Sequence, residues 1–151
     1  VEVIHSSISS GKPFLGICLG MQLLMTESEE FGIHKGLGII KGRVVKFSSK
    51  KDKVPQVGWN KVSKLENGTN WEGTLLRGLS EKDYMYFVHS FYVLPASKDV
   101  ILSETNYADL KYCSSLQDKN VFACQFHPEK SGEKGLMIYK NLNNLICQKK
   151  N

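Results

Sequence analysis

The feature that most constrains the fold is a cysteine between two glycines, at the point where an apolar run gives way to a helical pattern. Residues 13–18 read PFLGIC, a short apolar segment typical of a buried strand. Residues 20–30 are predicted to form a helix, because Met21, Leu24 and Met25 recur at helical spacing. A strand, a sharp glycine-flanked turn and a helix predict the beginning of an α/β unit.

The pentapeptide around Cys18 has the form G-x-C-x-G, which is typical of a nucleophile held on a strained turn between strand and helix. Gly16 and Gly20 are expected to let the backbone pass without a Cβ clash, and the helix N-terminus to lower the pKa of the thiol. The backbone N–H of Leu19 would then face a developing oxyanion. A buried structural cysteine in a βα turn explains the pentapeptide equally well, so both interpretations stay open at this point.

A second candidate group follows another apolar strand, in the string QFHPEKS at residues 125–131. Pro128 ends that strand, and catalytic groups gather at the carboxyl ends of strands in α/β sheets. Glu129 lies two residues after His127, so its carboxylate can hold one ring nitrogen while the other accepts a thiol proton. The alternative is an ordinary strand-to-helix corner, in which Glu129 lies favourably near the N-terminus of the last helix.

The rest of the chain contains more predicted strands than helices. A short helix is predicted over residues 1–10 and a final helix over residues 131–148, with one helical turn near residues 75–79. Strands are predicted at residues 39–47, 54–57, 61–65, 85–92, 100–105, 112–116 and 121–127. The length of 151 residues suits one domain, and no repeat or linker divides it. We therefore predict one α/β domain over residues 1–151, with a strand-rich second half.

Composition and charge exclude several classes of partner. The net charge is +5, and the densest lysine run, Lys50-Lys51-Asp52-Lys53, is interpreted as a solvated turn, so no nucleic-acid partner is predicted. No apolar run approaches the roughly 18–20 residues that span a bilayer, so no membrane partner is predicted. The four cysteines lack metal-ligand spacing and a CxxC pair. We therefore predict no metal or other cofactor and a reducing, cytoplasmic location.

Taken together, the strings GICLGMQLL at residues 16–24 and FHPEKS at residues 126–131 resemble the class I (triad) glutamine amidotransferases. Two further strings, GWN at residues 58–60 and YFVHSFY at residues 86–92, are most similar to the glutaminase subunits of imidazole glycerol phosphate synthases. The resemblance covers essentially the whole chain. It implies a flavodoxin-like α/β sheet with flanking helices. Related members supply ammonia in bacterial surface-sugar synthesis, and that alternative stays open.

The resemblance implies hydrolysis of L-glutamine to glutamate and ammonia by a Cys-His-Glu triad. Cys18 would attack the side-chain amide, with the N–H of Leu19 as an oxyanion donor. His127 would accept the thiol proton and later protonate the departing ammonia, and Glu129 would orient His127.

Four further residues are implied to bind the glutamine. Gln22 would contact it one helical turn after the nucleophile, and Glu30 would pair with its ammonium group. Ser90 and Phe91 would reach its α-groups through backbone atoms.

The resemblance also implies a heterodimer with a (βα)8-barrel cyclase, which uses the ammonia to build imidazole glycerol phosphate in histidine biosynthesis. Trp59, Asn60, Tyr86 and Lys130 match positions near that interface. Without the resemblance, Trp59 and Tyr86 could equally be core residues and Lys130 a solvated one.

One departure from the family concerns the N-terminus. The family has a first βα unit and a Pro-Gly-rich strand before the nucleophile, whereas this chain starts with Val1 and contains no Pro-Gly dipeptide. We therefore expect an incomplete N-terminus and a strand at residues 14–17 that is paired on one side only.

Two competing hypotheses remain at this point. A stand-alone cysteine hydrolase of the same fold would not need GWN or HPEKS. A degenerate, non-enzymatic binding module would not need an intact Cys18, His127 and Glu129.

Overall fold

The computed structural model describes residues 1–48, 53–66 and 70–148, so Lys50, Lys51 and Asp52 of the predicted solvated turn lie outside it. The helices of this part are α1 (Glu2–Ser9), α2 (Leu19–Leu23) and α3 (Gly132–Gln148), with 3-10 turns at Lys98–Val100 and Pro128–Lys130. The strands are β1 (Phe14–Ile17), β2 (Glu27–Ser28), β3 (His34–Lys35), β4 (Gly42–Lys46), β5 (Gln56–Lys61), β6 (Tyr84–His89), β7 (Phe91–Pro95), β8 (Ile101–Tyr107), β9 (Leu110–Asp118) and β10 (Val121–Cys124). None of these described helices is long and apolar enough to cross a membrane.

Most of the strands join one mixed sheet. Its order is β1-β10-β9-β7-β4-β2-β3, and β8 pairs with β9 outside that path. β5 and β6 form a separate antiparallel pair. β1 and β10 are parallel, whereas β10 is antiparallel to β9. The predicted α/β class with a strand-rich second half is confirmed.

The core lies on both faces of the main sheet, because alternate residues of a strand point to opposite sides. Phe122 and Cys124 of β10 belong to a cluster that also contains Ile138 of α3. Val121 and Ala123 belong to a second cluster, which includes the buried side chains of α2 and of the residues just after it. Helices α2 and α3 therefore cover opposite faces of the sheet and flank the ends of β1 and β10.

The helix predicted over residues 20–30 is wrong in its second half. The helix α2 ends at Leu23, and β2 begins only four residues later. The N–H of Thr26 donates to the carbonyl of Gly42, so the chain here pairs with β4 instead of continuing the helix. Met25 is buried although it lies beyond the end of the helix. A buried side chain at helical spacing is therefore not enough to show that the helix continues.

The single strand predicted over residues 85–92 is two strands, β6 and β7, separated by Ser90. β6 pairs with β5 in the small sheet, whereas β7 joins β4 in the main one. The carbonyl of Ser90 accepts a hydrogen bond from the N–H of Phe47. Ser90 is therefore the point at which the chain passes from one sheet to the other.

Strand β1, which leads to Cys18, lies at an edge of the main sheet within the described residues. Within the described residues it pairs only with β10, in register from Phe14 with Val121 to Ile17 with Cys124. The prediction that this strand pairs on one side only is confirmed for this part of the chain.

Candidate active site at the ends of two parallel strands

The parallel pairing of β1 with β10 brings the two candidate motifs together. Cys18 directly follows β1, and its N–H donates to the carbonyl of Cys124, the last residue of β10, at 2.8 Å. His127 follows Cys124 by three residues. Because parallel strands end at the same edge of a sheet, the fold places both motifs at one edge.

The turn at Cys18 has the strained geometry expected of a nucleophile elbow. Cys18 has φ 50° and ψ −105°, outside the usual regions for a residue with a side chain. A Cβ at Gly16 would lie 2.8 Å from the carbonyl carbon of Gly20, so only glycine fits there. A Cβ at Gly20 would meet nothing within 4 Å. The expectation of a clash at both glycines is therefore wrong for Gly20.

The sulfur of Cys18 lies among polar groups of three other residues, Leu19, Val88 and Gln125. The thiol donates to the carbonyl of Val88 at 3.8 Å, and Nε2 of Gln125 donates to the sulfur at 3.5 Å. Burial raises the pKa of the Cys18 thiol, and the N–H of Leu19 and the Gln125 amide lower it less than burial raises it. The prediction of a lowered thiol pKa is wrong, because in a helix of five residues the end effect does not outweigh desolvation.

The candidate base and its orienting carboxylate are in contact. Nδ1 of His127 lies 2.6 Å from Oε1 of Glu129, which follows it in the 3-10 turn. The other ring nitrogen, Nε2, is buried and has no hydrogen-bond partner among the described residues. Because Nδ1 faces a carboxylate and therefore carries the ring proton of the neutral imidazole, Nε2 is the ring nitrogen with a lone pair.

The backbone of His127 is held at both of its polar groups. Its N–H donates to the carbonyl of Tyr86 at 2.9 Å, and its carbonyl accepts from the buried Ser131 hydroxyl at 2.6 Å. The same hydroxyl accepts from the N–H of Tyr86 at 3.0 Å. A Cβ at Gly135 would lie 2.0 Å from the Pro128 carbonyl, so α3 packs directly on the turn after His127.

A cleft of about 250 Å³ opens beside the elbow. Gln22 and Glu30, two of the predicted glutamine-binding residues, both line it together with Leu19. The Gln22 amide is buried and donates to the carbonyl of Phe91 at 2.9 Å and to Oε1 of Gln125 at 3.1 Å. The negative charge of Glu30 raises the pKa of the Cys18 thiol, which places this carboxylate within electrostatic range of the sulfur.

Ser90 and Phe91, also predicted to bind glutamine, form the passage between the two sheets. Their carbonyls already accept internal hydrogen bonds, that of Ser90 from Phe47 and that of Phe91 from Gln22 and His89. A ligand that binds this backbone would therefore use its N–H groups.

His89 was not selected from the sequence, although it lies behind the site. Its Nδ1 is 2.8 Å from the Phe91 carbonyl, and because a carbonyl only accepts, Nδ1 carries the proton. Its Nε2 lies 3.2 Å from the Tyr112 hydroxyl, which donates to Gln56. Burial lowers the pKa of His89 to about 4, aided by the charge of His127 and opposed by the bond to Phe91. His89 is therefore uncharged near neutral pH, and its hydrogen bond holds the Phe91 carbonyl where the chain crosses between the two sheets.

Three of the four predicted interface residues, Trp59, Tyr86 and Lys130, form a stack, whereas the fourth, Asn60, makes a hydrogen bond elsewhere. Trp59, 55% exposed, contacts Tyr86 edge-to-face at 6.0 Å, and Nζ of Lys130 lies 5.9 Å from the Tyr86 ring centre. This aromatic stack adjoins the His127 segment, because the Tyr86 carbonyl accepts the His127 N–H. The Asn60 amide donates to the carbonyl of Asn106, so it braces β5 against the end of β8.

No three His, Cys, Asp or Glu residues in the described ranges lie close enough together to hold a metal ion.

Comparison with known proteins supplies relatives for this arrangement. Residues 1–143 match the family described as glutamine amidotransferase class-I. The chain is 45% identical over 140 residues to imidazole glycerol phosphate synthase subunit HisH of Chlorobaculum tepidum, covering 93% of this chain and 67% of that protein. It is also 45% identical over 147 residues to the protein of the same name from Pyrococcus furiosus, covering 95% of this chain and 71% of that one. The chain thus spans about two thirds of the length of these relatives.

Two solved structures share the fold at lower identity. A glutamine amidotransferase from Thermotoga maritima aligns with a TM-score of 0.57 and 18% identity, over 99% of this chain and 54% of that one. A Thermoplasma acidophilum protein, described only provisionally as part of a GMP synthase, aligns with a TM-score of 0.66 and 21% identity, over 97% of this chain and 64% of that one. The chain spans less than two thirds of either structure, and at these identities the likeness concerns the fold alone.

Proposed function

Because the chain belongs to the class-I glutamine amidotransferases, we propose that it hydrolyses L-glutamine to glutamate and ammonia, with Cys18 as the nucleophile. The observation that carries this proposal is the pairing of a strained cysteine with a histidine whose free ring nitrogen is buried and unpartnered. Nε2 of His127 is available, and Glu129 already holds Nδ1 at 2.6 Å. A nucleophile, a base and an orienting group at one sheet edge are the parts needed for acyl transfer.

The first half of the reaction forms a thioester. Nε2 of His127 accepts the thiol proton, and the sulfur attacks the carbon of the glutamine side-chain amide. The N–H of Leu19 faces the sulfur and stabilises the negative charge that develops on the amide oxygen. His127 then returns the proton to the nitrogen, the C–N bond breaks, and ammonia leaves.

The second half regenerates the thiol. A water molecule attacks the thioester, His127 accepts one of its protons, and the C–S bond breaks to release glutamate. The thiolate then recovers the proton from His127. Glu129 keeps its hydrogen bond to Nδ1 throughout, which fixes the ring and favours the positively charged imidazolium.

The thiol has to leave its present acceptor before the reaction begins. It donates to the Val88 carbonyl at 3.8 Å, while Nε2 of His127 has no partner. Closing the triad requires the S–H bond of Cys18 to turn from this carbonyl toward Nε2 of His127. Catalytic hydrogen bonds that are long in a ligand-free structure commonly tighten when substrate binds.

The cleft beside the elbow suits glutamine in size and charge. Glu30 supplies a carboxylate for the α-ammonium group, and no ion pair occupies this carboxylate within the described residues. The N–H groups of Ser90 and Phe91 are assigned to the α-carboxylate, because their carbonyls are engaged. Gln22 lies between the cleft and the nucleophile and contacts the side-chain end of the substrate.

The ammonia is proposed to pass to a (βα)8-barrel cyclase that makes imidazole glycerol phosphate in the cytoplasm. Two relatives at 45% identity carry the name of a subunit of that synthase. The stack of Trp59, Tyr86 and Lys130 supports a heterodimer, because an exposed tryptophan beside a reactive site is typical of a surface that a partner covers. The free cysteines among the described residues fit a reducing compartment.

The test is a glutaminase assay of this chain with and without the cyclase, together with the Cys18→Ala variant. We expect glutamate release to rise when the cyclase is added and to vanish in Cys18→Ala. The exposed Cys147 offers a matched control, since Cys147→Ala removes a thiol far from the elbow in sequence and should keep full activity. Hydrolysis that survives Cys18→Ala would rule out the proposed nucleophile, and activity indifferent to the cyclase would favour a stand-alone hydrolase.

A further inference from the structure

Gln125 is a buried polar side chain to which neither the triad nor the cleft assigns a role. It lies one residue after β10, between the buried residues Cys124 and Phe126, and is itself fully buried. An amide at such a position is unfavourable unless its polar atoms find partners. Its side chain contacts two groups of the site, the sulfur of Cys18 at 3.5 Å and the amide of Gln22 at 3.1 Å.

The orientation of the Gln125 amide follows from its neighbours. The Phe91 carbonyl can only accept, so the Gln22 end that faces it at 2.9 Å is the NH2 group. The same NH2 group faces Gln125, which must therefore present its oxygen to Gln22. The NH2 group of Gln125 is then left for the sulfur. The Phe91 carbonyl thus fixes the direction of both later hydrogen bonds in the series, from Gln22 to Gln125 and from Gln125 to Cys18.

A donor aimed at sulfur interacts more strongly with a thiolate than with a thiol. A thiol sulfur is a weak acceptor, whereas hydrogen bonds to an ionised group are shorter and about twice as strong. We propose that Gln125 is a further catalytic residue, which donates to the Cys18 thiolate and uses the oxygen of the same amide to hold Gln22 in position. The proposal rests on Cys18 being the nucleophile of the proposed reaction.

The need for this donor arises from the surroundings of the sulfur. Burial and the charges of Glu129 and Glu30 raise the pKa of the thiol, and the Leu19 N–H and the Gln125 amide lower it. The Leu19 N–H is also the donor assigned to the oxyanion, so its bond to sulfur weakens as the substrate reacts. Gln125, which follows the neighbouring strand β10, stays beside the sulfur during the attack and again when the thioester breaks.

The test measures the reactivity of the thiol without using glutamine hydrolysis. The full chain is treated with iodoacetamide from pH 7 to 10.5, and alkylation of the Cys18 peptide is followed by mass spectrometry. Gln125→Met keeps the length of the side chain and removes the donor. We expect the pKa of the Cys18 thiol to rise by about one unit and labelling at pH 8 to slow about tenfold, the loss of a hydrogen bond to a charged group.

Two controls separate this effect from loss of structure. The exposed Cys147 in the same sample should alkylate at an unchanged rate. Asn141→Leu removes another buried amide, one that donates to the carbonyls of Leu75 and Arg77, and should leave the Cys18 pKa unchanged. A Cys18 pKa that shifts equally in Asn141→Leu would assign Gln125 a merely structural role.

A second variant tests the proposal if the methionine variant does not fold. Gln125→Glu has the same shape and places a carboxylate against the sulfur, so the thiol pKa should rise at least as far as in Gln125→Met. An unchanged pKa in either folded variant overturns the proposal. A wild-type chain that alkylates as expected but hydrolyses no glutamine, with or without the cyclase, would instead refute the proposed function and leave the contact between Gln125 and Cys18 standing.

Discussion

The two halves of the site are built in different ways. On the base side, His127 follows β10, which has neighbours on both sides, and its N–H, its carbonyl and Nδ1 are all hydrogen-bonded. On the nucleophile side, Cys18 follows β1, an edge strand in the described residues, and adopts a strained backbone conformation. Two of the contacts of the sulfur are long, at 3.5 Å to Gln125 and 3.8 Å to Val88.

The difference indicates which half must move. His127 is held in this structure by hydrogen bonds of 2.6 to 2.9 Å at its N–H, its carbonyl and Nδ1. The Cys18 thiol instead donates to the Val88 carbonyl at 3.8 Å. The proposed mechanism therefore requires a rearrangement at Cys18 and none at His127.

Removal of either reactive group is the largest change that can be made to the two halves. Cys18→Ala should lower the turnover of glutamine roughly 10⁴-fold or more, since no other group can form the thioester. His127→Ala should be nearly as severe, because triad members act as a unit. The measurement is steady-state glutamate release in the presence of the cyclase. Circular dichroism should show that both variants keep the wild-type fold, because neither side chain supports the core.

Weakening the support of the base is the next largest change. Glu129→Gln removes the negatively charged carboxylate that faces Nδ1 of His127 but keeps an oxygen that can accept its hydrogen bond. We expect a turnover loss about two orders of magnitude less severe than that of Cys18→Ala. Glu133→Gln neutralises an exposed carboxylate in the first turn of α3 and should have no effect. Equal losses in both variants would mean that general charge near α3, and not the contact with His127, sustains the reaction.

The sequence predicts the end of β1 well, because the apolar run before Cys18 is a short local pattern. It places the end of the other strand too late, because the strand predicted over residues 121–127 stops at Cys124, three residues before His127. The final helix is found because its apolar stripe continues over several turns. The extent of α2 is missed because the residues after Leu23 pair with β4, which is distant in the sequence.

The supporting residues of the site are missed because their partners are distant in the sequence. Gln125, His89 and Ser131 contact Cys18, Tyr112 and Tyr86, and no local spacing relates these pairs. A weak signal is present for His89 and Gln125, namely a polar residue inside or just after an apolar strand, but not for Ser131, which follows a 3-10 turn. A buried polar side chain needs a hydrogen-bond partner, but the sequence alone does not identify that partner.

His89 lies behind the site, and its burial predicts a dependence of stability on pH. Its folded pKa of about 4 lies below its ordinary value of 6.5, so the unfolded chain takes up a proton that the folded chain refuses as pH falls from about 6.5. This histidine should therefore remove about 2 kcal/mol from the free energy of unfolding between pH 7 and pH 4.5.

Urea unfolding of the wild type and of His89→Gln at the two pH values measures this contribution. The variant should lose less stability on acidification than the wild type, by about the same 2 kcal/mol. Asp83, whose pKa is lowered by the Ser80 N–H and Lys134 against its own partial burial, titrates in both proteins and cancels in the difference. Parallel pH profiles would mean that His89 is protonated in the folded chain.

The hydroxyl of Ser131 tests whether hydrogen bonds, and not packing alone, position the backbone of His127. Ser131→Ala removes one of the two donors to the His127 carbonyl, the other being the N–H of Lys130, and takes the hydroxyl acceptor away from the Tyr86 N–H. We expect a loss of about 2 kcal/mol in the free energy of unfolding and a lower kcat with little change in KM. Ser103→Ala removes another buried hydroxyl, which contacts Ser114, and should destabilise the chain without lowering kcat. A kcat that is unchanged in Ser131→Ala would show that this bond does not position the base.

The smallest expected effect concerns the surface of the base half. Trp59 is half exposed, and its main aromatic contact is the edge of Tyr86, so Trp59→Ala should change the free energy of unfolding by less than about 1 kcal/mol. If the cyclase covers this stack, the affinity for the cyclase should fall about tenfold, as expected for an aromatic residue at the centre of an interface. Titration of the cyclase against stimulated glutamate release measures that affinity. Leu94→Ala, at an exposed apolar residue of β7 in the main sheet, is the control and should leave it unchanged. An unchanged affinity in Trp59→Ala would show that the cyclase does not bind at this stack. The cyclase would then give no support to the His127 segment through Tyr86.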